Sequence, residues 1–158
     1  MSTNTKNKIL TREEVPVELT WKLEDIFATD TDWENEYNEV STLAEKATSF
    51  QGTLSNGAEA LFQAFTYQDE ILERINRLYA YSHMRGDQDT ANSHYQAMDS
   101  RIKKLYVKVS TGLSFMTPEI LSLDEAELAK YLDGHEGLKL YTQVLKEINE
   151  MRPHVLPA

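Results

Sequence analysis

Four histidines and several closely spaced acids are the side chains of this chain that could bind a metal or move a proton. Zinc needs three or four converging donors, and a common pattern places two histidines four residues apart on one helical face. His135-Glu136 begins such a pattern, but its fifth position is Lys139 and not histidine. A lysine there would bring a positive charge beside the cation, so the sequence predicts no zinc site at His135.

The other candidates for chemistry lack essential partners. His83 and His94 could approach each other, but no third ligand accompanies them, and two histidines at helix ends are the simpler interpretation. The acidic runs beginning at Asp30 and Asp87 lack the glycine and the bidentate glutamate of an EF-hand calcium loop. No serine occupies a nucleophile-elbow motif, and cysteine is absent. The sequence therefore predicts no catalytic residue, no metal ligand and no cofactor bound by this chain.

Tyrosines are the polar side chains that offer a binding surface. Four of them fall on two neighbouring predicted helices, namely Tyr79, Tyr81, Tyr95 and Tyr106. Tyrosine combines a large apolar area with one polar tip, so it suits either a helical core or the wall of a water-filled groove. Both roles stay open for the group, and Tyr81 is the predicted substrate-binding residue at a groove.

Composition restricts both the fold and the partners. Of 158 residues, 41% are hydrophobic and only six are glycine and four proline, which favours helices in a globular domain. A net charge of −10 repels phosphate backbones and anionic lipids, so neither nucleic acid nor membrane is a predicted partner. Residues 1–10 lack an apolar signal region, and no long apolar run follows, so the predicted location is cytoplasmic.

Apolar residues recur every three or four positions through most of the chain and predict an all-α fold of antiparallel helical hairpins. The predicted helices are about 32–52, 57–65, 67–84, 91–113, 126–132 and 138–151. A short joint near Gly86-Asp87 predicts that the helices on either side of it pair as an αα-hairpin. An extended N-terminal arm (1–30) precedes a helical hairpin lobe (31–114) and a final helical segment (115–158).

Local signals predict where these helices begin and end. Capping boxes are predicted at Thr31 with Glu34, Asn56 with Glu59, and Ser122 with Glu125, and caps at Asp89 or Thr90. Gly52 is the predicted end of the first helix, Thr117-Pro118 the start of another, and 133–137 a loop. The stretch 15–23 is predicted to run extended with its apolar residues, Trp21 among them, laid on the helical body.

Several sequence pieces, taken together, resemble the N-terminal part of oligoendopeptidase F, a zinc metallopeptidase related to thimet oligopeptidase. They occur in the family's order and spacing and extend over nearly the whole chain. The pieces are VELTWKLEDIF at 17–27, LYAYSHM at 78–84, DQDT at 87–90, FMTPEI at 115–120, and the segment 131–156 from YLDGHEGL to RPHVL.

The resemblance implies a helical lobe that walls one side of a deep channel and restricts substrates to short peptides. In the family, an HExxH pair and a later glutamate bind zinc in a downstream catalytic domain, which would be this chain's partner. On that basis 115–158 is the truncated start of the family's N-terminal helical domain, and the chain by itself is predicted to be inactive. The alternative is a free-standing helical module that binds a protein or peptide without catalysis.

Overall fold

The computed structural model describes Leu10 and residues 14–154, and in that part the chain is built from α-helices and short 3₁₀ turns without a strand. The all-α prediction is confirmed. The helices are α1 (Asp30–Ala44), α2 (Ala58–Gln88), α3 (Ser93–Gly112), α4 (Met116–Ser122), α5 (Glu125–Gly134) and α6 (Thr142–Glu150).

The 31-residue helix α2 is the longest helix in the described part of the chain. The sequence predicted two helices with a break after Phe65, and this is wrong because one buried stripe continues across the junction. Phe65, Tyr67 and Ile71 are all buried. The Thr66 hydroxyl bonds the carbonyl one turn earlier, so the polar side chain does not interrupt the helix. The helix also continues past Gly86, its predicted end, and begins after Gly57 without the predicted side-chain cap at Asn56.

Helices α2 and α3 form the predicted αα-hairpin, which is the largest helix–helix contact among the described residues. The N-cap of α3 is Asn92, whose side-chain oxygen accepts a hydrogen bond from the His94 amide at 3.0 Å. The predicted caps, Asp89 and Thr90, are therefore wrong. Asp89 instead accepts from the Ala91 amide at 3.1 Å and stabilises the turn between the helices.

Helix α1 packs on one side of this hairpin and contacts both of its helices. Trp33 is fully buried there, and its indole N–H donates to the Leu78 carbonyl at 2.8 Å. The helix begins at Asp30, two residues earlier than predicted, because Thr29 and not Thr31 caps it. The helix ends at Ala44, well before Gly52; that glycine has φ 79° after a 3₁₀ turn, Ala47–Phe50.

Short helices complete the fold after α3. Helix α4 begins at Met116, so Pro118 occupies its third position, where a missing amide hydrogen is still harmless. Asp124 caps α5 by accepting from the Ala126 amide at 2.8 Å, which corrects the predicted cap at Ser122. The predicted loop at 133–137 belongs partly to α5, which extends to Gly134.

The predicted last helix is two elements. A 3₁₀ segment, Glu136–Tyr141, precedes α6, and the change of geometry occurs where the chain passes closely over α2. A Cβ at Gly137 would lie 2.5 Å from a ring carbon of Phe62, so any larger residue would require the Phe62 ring to move. Leu138 and Leu145 are buried and attach the segment to the body.

The N-terminal arm is only partly attached to this body. Leu23 and Phe27 are buried, but Trp21 is 75% exposed, and Val17 and Leu19 also face solvent, so their predicted packing is wrong. These residues lie in or next to 3₁₀ turns and are not fully extended, because Thr20 bonds the Val17 carbonyl through both its amide and its hydroxyl. The first part of the predicted arm (1–9 and 11–13) and residues 155–158 lie outside the part of the chain that the structure describes.

Candidate functional site

Tyr81 is a core residue in this structure. Its side chain is fully buried, its ring packs edge-on against Phe27 with 5.5 Å between centroids, and its hydroxyl donates to Asp30 at 2.7 Å. Burial raises the pKa of Tyr81 to about 12. Tyr81 does not line the groove described below, and its role as a substrate-binding residue stays a prediction.

Asp30 is the centre of a polar network that joins the arm to the three long helices. Besides Tyr81, its carboxylate accepts from the Tyr95 hydroxyl at 3.3 Å and lies 3.4 Å from His94 Nε2. Arg85 lies over the Tyr81 ring at 5.1 Å and binds Glu24 of the arm at 2.8 Å. This arrangement gives the buried Tyr81 hydroxyl an acceptor and fixes the arm, and it does not resemble a catalytic constellation.

Two other histidines, His83 and His135, also have structural partners. His83 stacks on Tyr79 with 5.0 Å between ring centroids, and its Nδ1 lies 3.3 Å from Asp99. His135 accepts the Leu138 amide hydrogen through Nδ1 and faces Glu59 at 2.9 Å through Nε2. His135 therefore caps the 3₁₀ segment Glu136–Tyr141. The sequence did not predict this role, although His135 directly precedes the segment.

No group of three or more histidine, cysteine, aspartate or glutamate side chains placed to hold a metal ion occurs among the residues that the structure describes. Two acids of the run that begins at Asp30, Glu34 and Glu36, pair with arginines of the hairpin instead. Glu34 accepts two bonds from Arg101, at 2.5 and 2.8 Å, and Glu36 accepts two from Arg74, at 2.7 and 3.0 Å. Hydrogen bonding to these arginines lowers the pKa of both glutamates.

The candidate binding site is a groove along the face of the α2–α3 hairpin, which we call the outer groove. It has a volume of about 400 Å³, within the range of small-ligand pockets. Its floor is apolar, because Ile75 of α2 and Ile102 of α3 are both buried. The seven residues that line it are Ile75, Asn76, Tyr79, Ile102, Lys103, Tyr106 and Val107.

The walls of the outer groove expose apolar area beside a positive charge. Tyr106 is 49% exposed and Val107 62% exposed, so Tyr106 belongs to the groove wall and not to the helical core. The Lys103 ammonium donates to Asp99 at 2.6 Å and lies 5.8 Å from the Tyr79 ring centroid. The sequence reasoning missed Lys103 and Val107, although an apolar residue off the buried stripe of a helix was an available signal.

Comparisons with known proteins agree with this helical architecture. The family model described as Oligopeptidase F matches residues 119–158. Oligopeptidase PepF of Bacillus subtilis is 43% identical over 150 residues, which are 95% of this chain but 22% of that protein.

Solved structures show the same relationship. The chain superimposes on oligoendopeptidase-F from Enterococcus faecium with a TM-score of 0.71 and 31% identity, over 81% of this chain and 25% of that one. A putative peptidase from Chlamydophila abortus shares the fold, with a TM-score of 0.84 and 22% identity, over 95% and 25% of the two chains.

The matches first indicate the class of protein: the chain is similar to a helical region of peptidases. More particularly, the chain corresponds to the N-terminal region of an oligoendopeptidase F-like peptidase, as the sequence resemblance indicated. It spans about a quarter of the length of the relatives it matches. No helix in the described part of the chain has the length and apolar character needed to cross a membrane.

Proposed function

We propose that this chain is the non-catalytic helical lobe of an oligoendopeptidase F-like zinc metalloendopeptidase and walls the channel that admits short peptides. The observation that carries the proposal is the alignment, in which 95% of this chain matches only 22% of PepF. Peptide hydrolysis is a property of the whole protein in this proposal. The partner of the lobe is the catalytic domain of the same enzyme, and the substrate class is short peptides.

The packing supports a role in steric selection. A wall that excludes large substrates has to resist deformation, and close-packed interiors do so. Helix α2 provides a continuous support of 31 residues, and α1 is attached to it by the buried Trp33 and by the Arg74–Glu36 pair. The lobe is therefore suited to contribute shape to the enzyme.

The chemistry would belong to the zinc site of the complete enzyme. There the metal would polarise the peptide carbonyl and activate water, with a glutamate as general base. The residues of this chain supply none of these groups in our proposal. Their contribution is to limit which peptides reach the metal.

A hydrolysis assay with added zinc tests whether cleavage requires the catalytic domain of the complete enzyme. We expect no cleavage of a nine-residue peptide by the 158-residue chain, and cleavage by a longer chain that includes the catalytic domain. Hydrolysis by the 158-residue chain that a chelator abolishes would refute the proposal. In the longer chain, Trp33→Ala should raise cleavage of a 30-residue peptide relative to a nine-residue one, because it loosens the wall.

The outer groove favours a second candidate function, a free-standing module that binds a protein or peptide without catalysis. Its exposed Tyr106 and Val107 are the kind of apolar area that binding partners cover. The two functions differ in what a longer chain does. If the longer chain hydrolyses no peptide while the 158-residue chain binds a partner through the groove, the module is the better description.

A further inference from the structure

We propose that the outer groove binds the C-terminal residue of a peptide, with a bulky apolar side chain between Tyr79 and Tyr106 and the free α-carboxylate at Lys103 and Lys104. The choice of peptides as the ligand class rests on the proposed function. The site itself stands on the geometry of the α2–α3 hairpin.

The slot accepts an apolar side chain because its floor and walls are carbon-rich. Ile75 and Ile102 form a buried floor, and the rings of Tyr79 and Tyr106 belong to opposite walls, one on each helix. An apolar side chain that enters would cover area on Tyr106 and Val107 that now faces solvent. Removing such area from water is favourable in proportion to the area buried.

The charges around the groove select an anionic group. The chain carries 26 acids and 16 bases, yet none of the seven lining residues is acidic. Helix α3 is the exception to the overall charge, because it holds four cationic lysines and arginines against one acid, Asp99. That acid is largely buried and is already bonded to Lys103.

One lysine lines the groove, and a second lysine follows it on the surface of α3. Lys103 lines the groove, and its ammonium keeps two N–H donors beyond the bond to Asp99. Val107 follows Lys103 by four positions and Lys104 by three, so both lysines neighbour it on the helix surface. Lys104 is exposed and has no ion pair within the described residues. The Asn76 amide lines the groove as well and can bond the peptide backbone.

A single α-carboxylate suits this site better than a strongly acidic segment. The net charge of −10 would repel a ligand with many negative charges, and that repulsion acts over distances comparable with the Debye length of about 10 Å. One carboxylate at the lysines gains a charge-assisted hydrogen bond while adding little long-range repulsion. The proposed ligand is therefore a peptide that ends in phenylalanine, leucine or a similar residue.

The test is a titration of the ¹⁵N-labelled 158-residue chain with N-acetyl-Ala-Ala-Phe, compared with the same peptide ending in an amide. We expect saturable amide shifts centred on Tyr79, Lys103 and Val107, and about tenfold weaker binding of the amide form because it lacks the charge. Equal affinities of the two forms, shifts centred elsewhere, or no binding of the acid would each overturn the proposal.

Two variants test the site further. Val107→Glu places a carboxylate on the wall and should abolish binding of the acid, while Val144→Glu on α6, where the valine is 42% exposed, should leave it unchanged. Lys104→Gln should weaken the acid form several-fold and leave the amide form unaffected. If Val107→Glu binds the acid normally, or if Lys104→Gln weakens both forms equally, the assignment is wrong.

This titration is independent of the hydrolysis assay. Failure of the groove to bind would leave the difference in cleavage between the short and long chains unaffected. An inactive long chain would in turn leave the binding result unaffected, so the two proposals fail separately.

Discussion

The two sides of the α2–α3 hairpin are built differently. On the side that faces α1, which we call the inner face, Trp33 is fully buried with its indole N–H bonded to a main-chain carbonyl. Arg74 and Arg101 extend from the hairpin, and each donates hydrogen bonds to a glutamate of α1. In the outer groove no helix of the described part covers Tyr106 and Val107, and both stay accessible.

The difference separates stability from binding. On the inner face, each large side chain has a partner from a distant part of the sequence, so its removal costs both packing and hydrogen bonds. In the outer groove the exposed residues contribute little to folding, because much of their surface is in water in the native state already. The inner face is therefore expected to determine the free energy of unfolding, and the outer groove to be free to bind.

The largest expected effect is on the inner face. Trp33→Ala should lower the free energy of unfolding by about 3–5 kcal/mol, because it leaves a large cavity in a fully packed position. Trp21→Ala is the matched control, since Trp21 is mostly exposed, and should change the free energy by about 0.5 kcal/mol or less. Urea unfolding followed by circular dichroism measures both, and similar effects of the two variants would contradict the comparison.

A smaller loss is expected from the charged pair between α1 and α2. Glu36→Gln should cost about 1–2 kcal/mol, because Arg74 loses a charged acceptor at a position where both side chains are about one-fifth exposed. The control is Glu150→Gln on α6, whose partner Lys146 is 4.0 Å away and equally exposed. The same urea titration should detect no loss of stability for the control. A comparable loss would show that the Arg74–Glu36 pair stabilises the fold no more than an exposed pair does.

The inner face should also respond to acid. Because Arg74 and Arg101 lower the folded-state pKa of Glu36 and Glu34 below 4.5, these pairs stabilise the fold above that pH. Their contribution should be lost as the pH falls through the lowered values. Urea midpoints measured between pH 7 and pH 2.5 should therefore converge for the native chain and Glu36→Gln. A constant difference down to pH 2.5 would contradict the assignment.

The smallest effect is expected in the outer groove. Val107→Ala should change the free energy of unfolding by less than about 0.5 kcal/mol, with a gain in stability as the favoured sign, because alanine is the better helix former at an exposed position. Thermal unfolding measures the change. A loss above about 1 kcal/mol would mean that Val107 belongs to the core and that the two faces are not as different as described.

The helices were largely readable from the sequence, whereas their ends were not. The period of Trp33, Val40 and Ala44 predicted the buried stripe of α1, and these residues are buried. The caps were misplaced because Thr29 and Thr31 are equally good capping residues, and the choice between them depends on where the helix has to start to bury Trp33. The same ambiguity displaced the predicted caps of α3 and α5.

The candidate site was less predictable than the fold. Tyr79 and Tyr106 were among the tyrosines singled out, but Tyr81, the residue chosen, is the buried one. Successive residues on a helix are about 100° apart, so Tyr79 and Tyr81 lie on nearly opposite faces of α2, and the sequence did not indicate which of the two faces would be buried. The position of Lys103 and Val107 at a groove depends on the packing of α3 against α2, which local sequence patterns do not specify.

The sequence alone determined that the chain is helical, which stripes are apolar and to which peptidases it is related, because periodicity and motif order are local properties of the chain. The tertiary structure decided that α2 is continuous and which carboxylates pair with Arg74 and Arg101. It also decided which face of the hairpin stays open. Those outcomes depend on contacts between residues as far apart as Glu34 and Arg101, 67 positions in sequence, and no local pattern encodes such pairing.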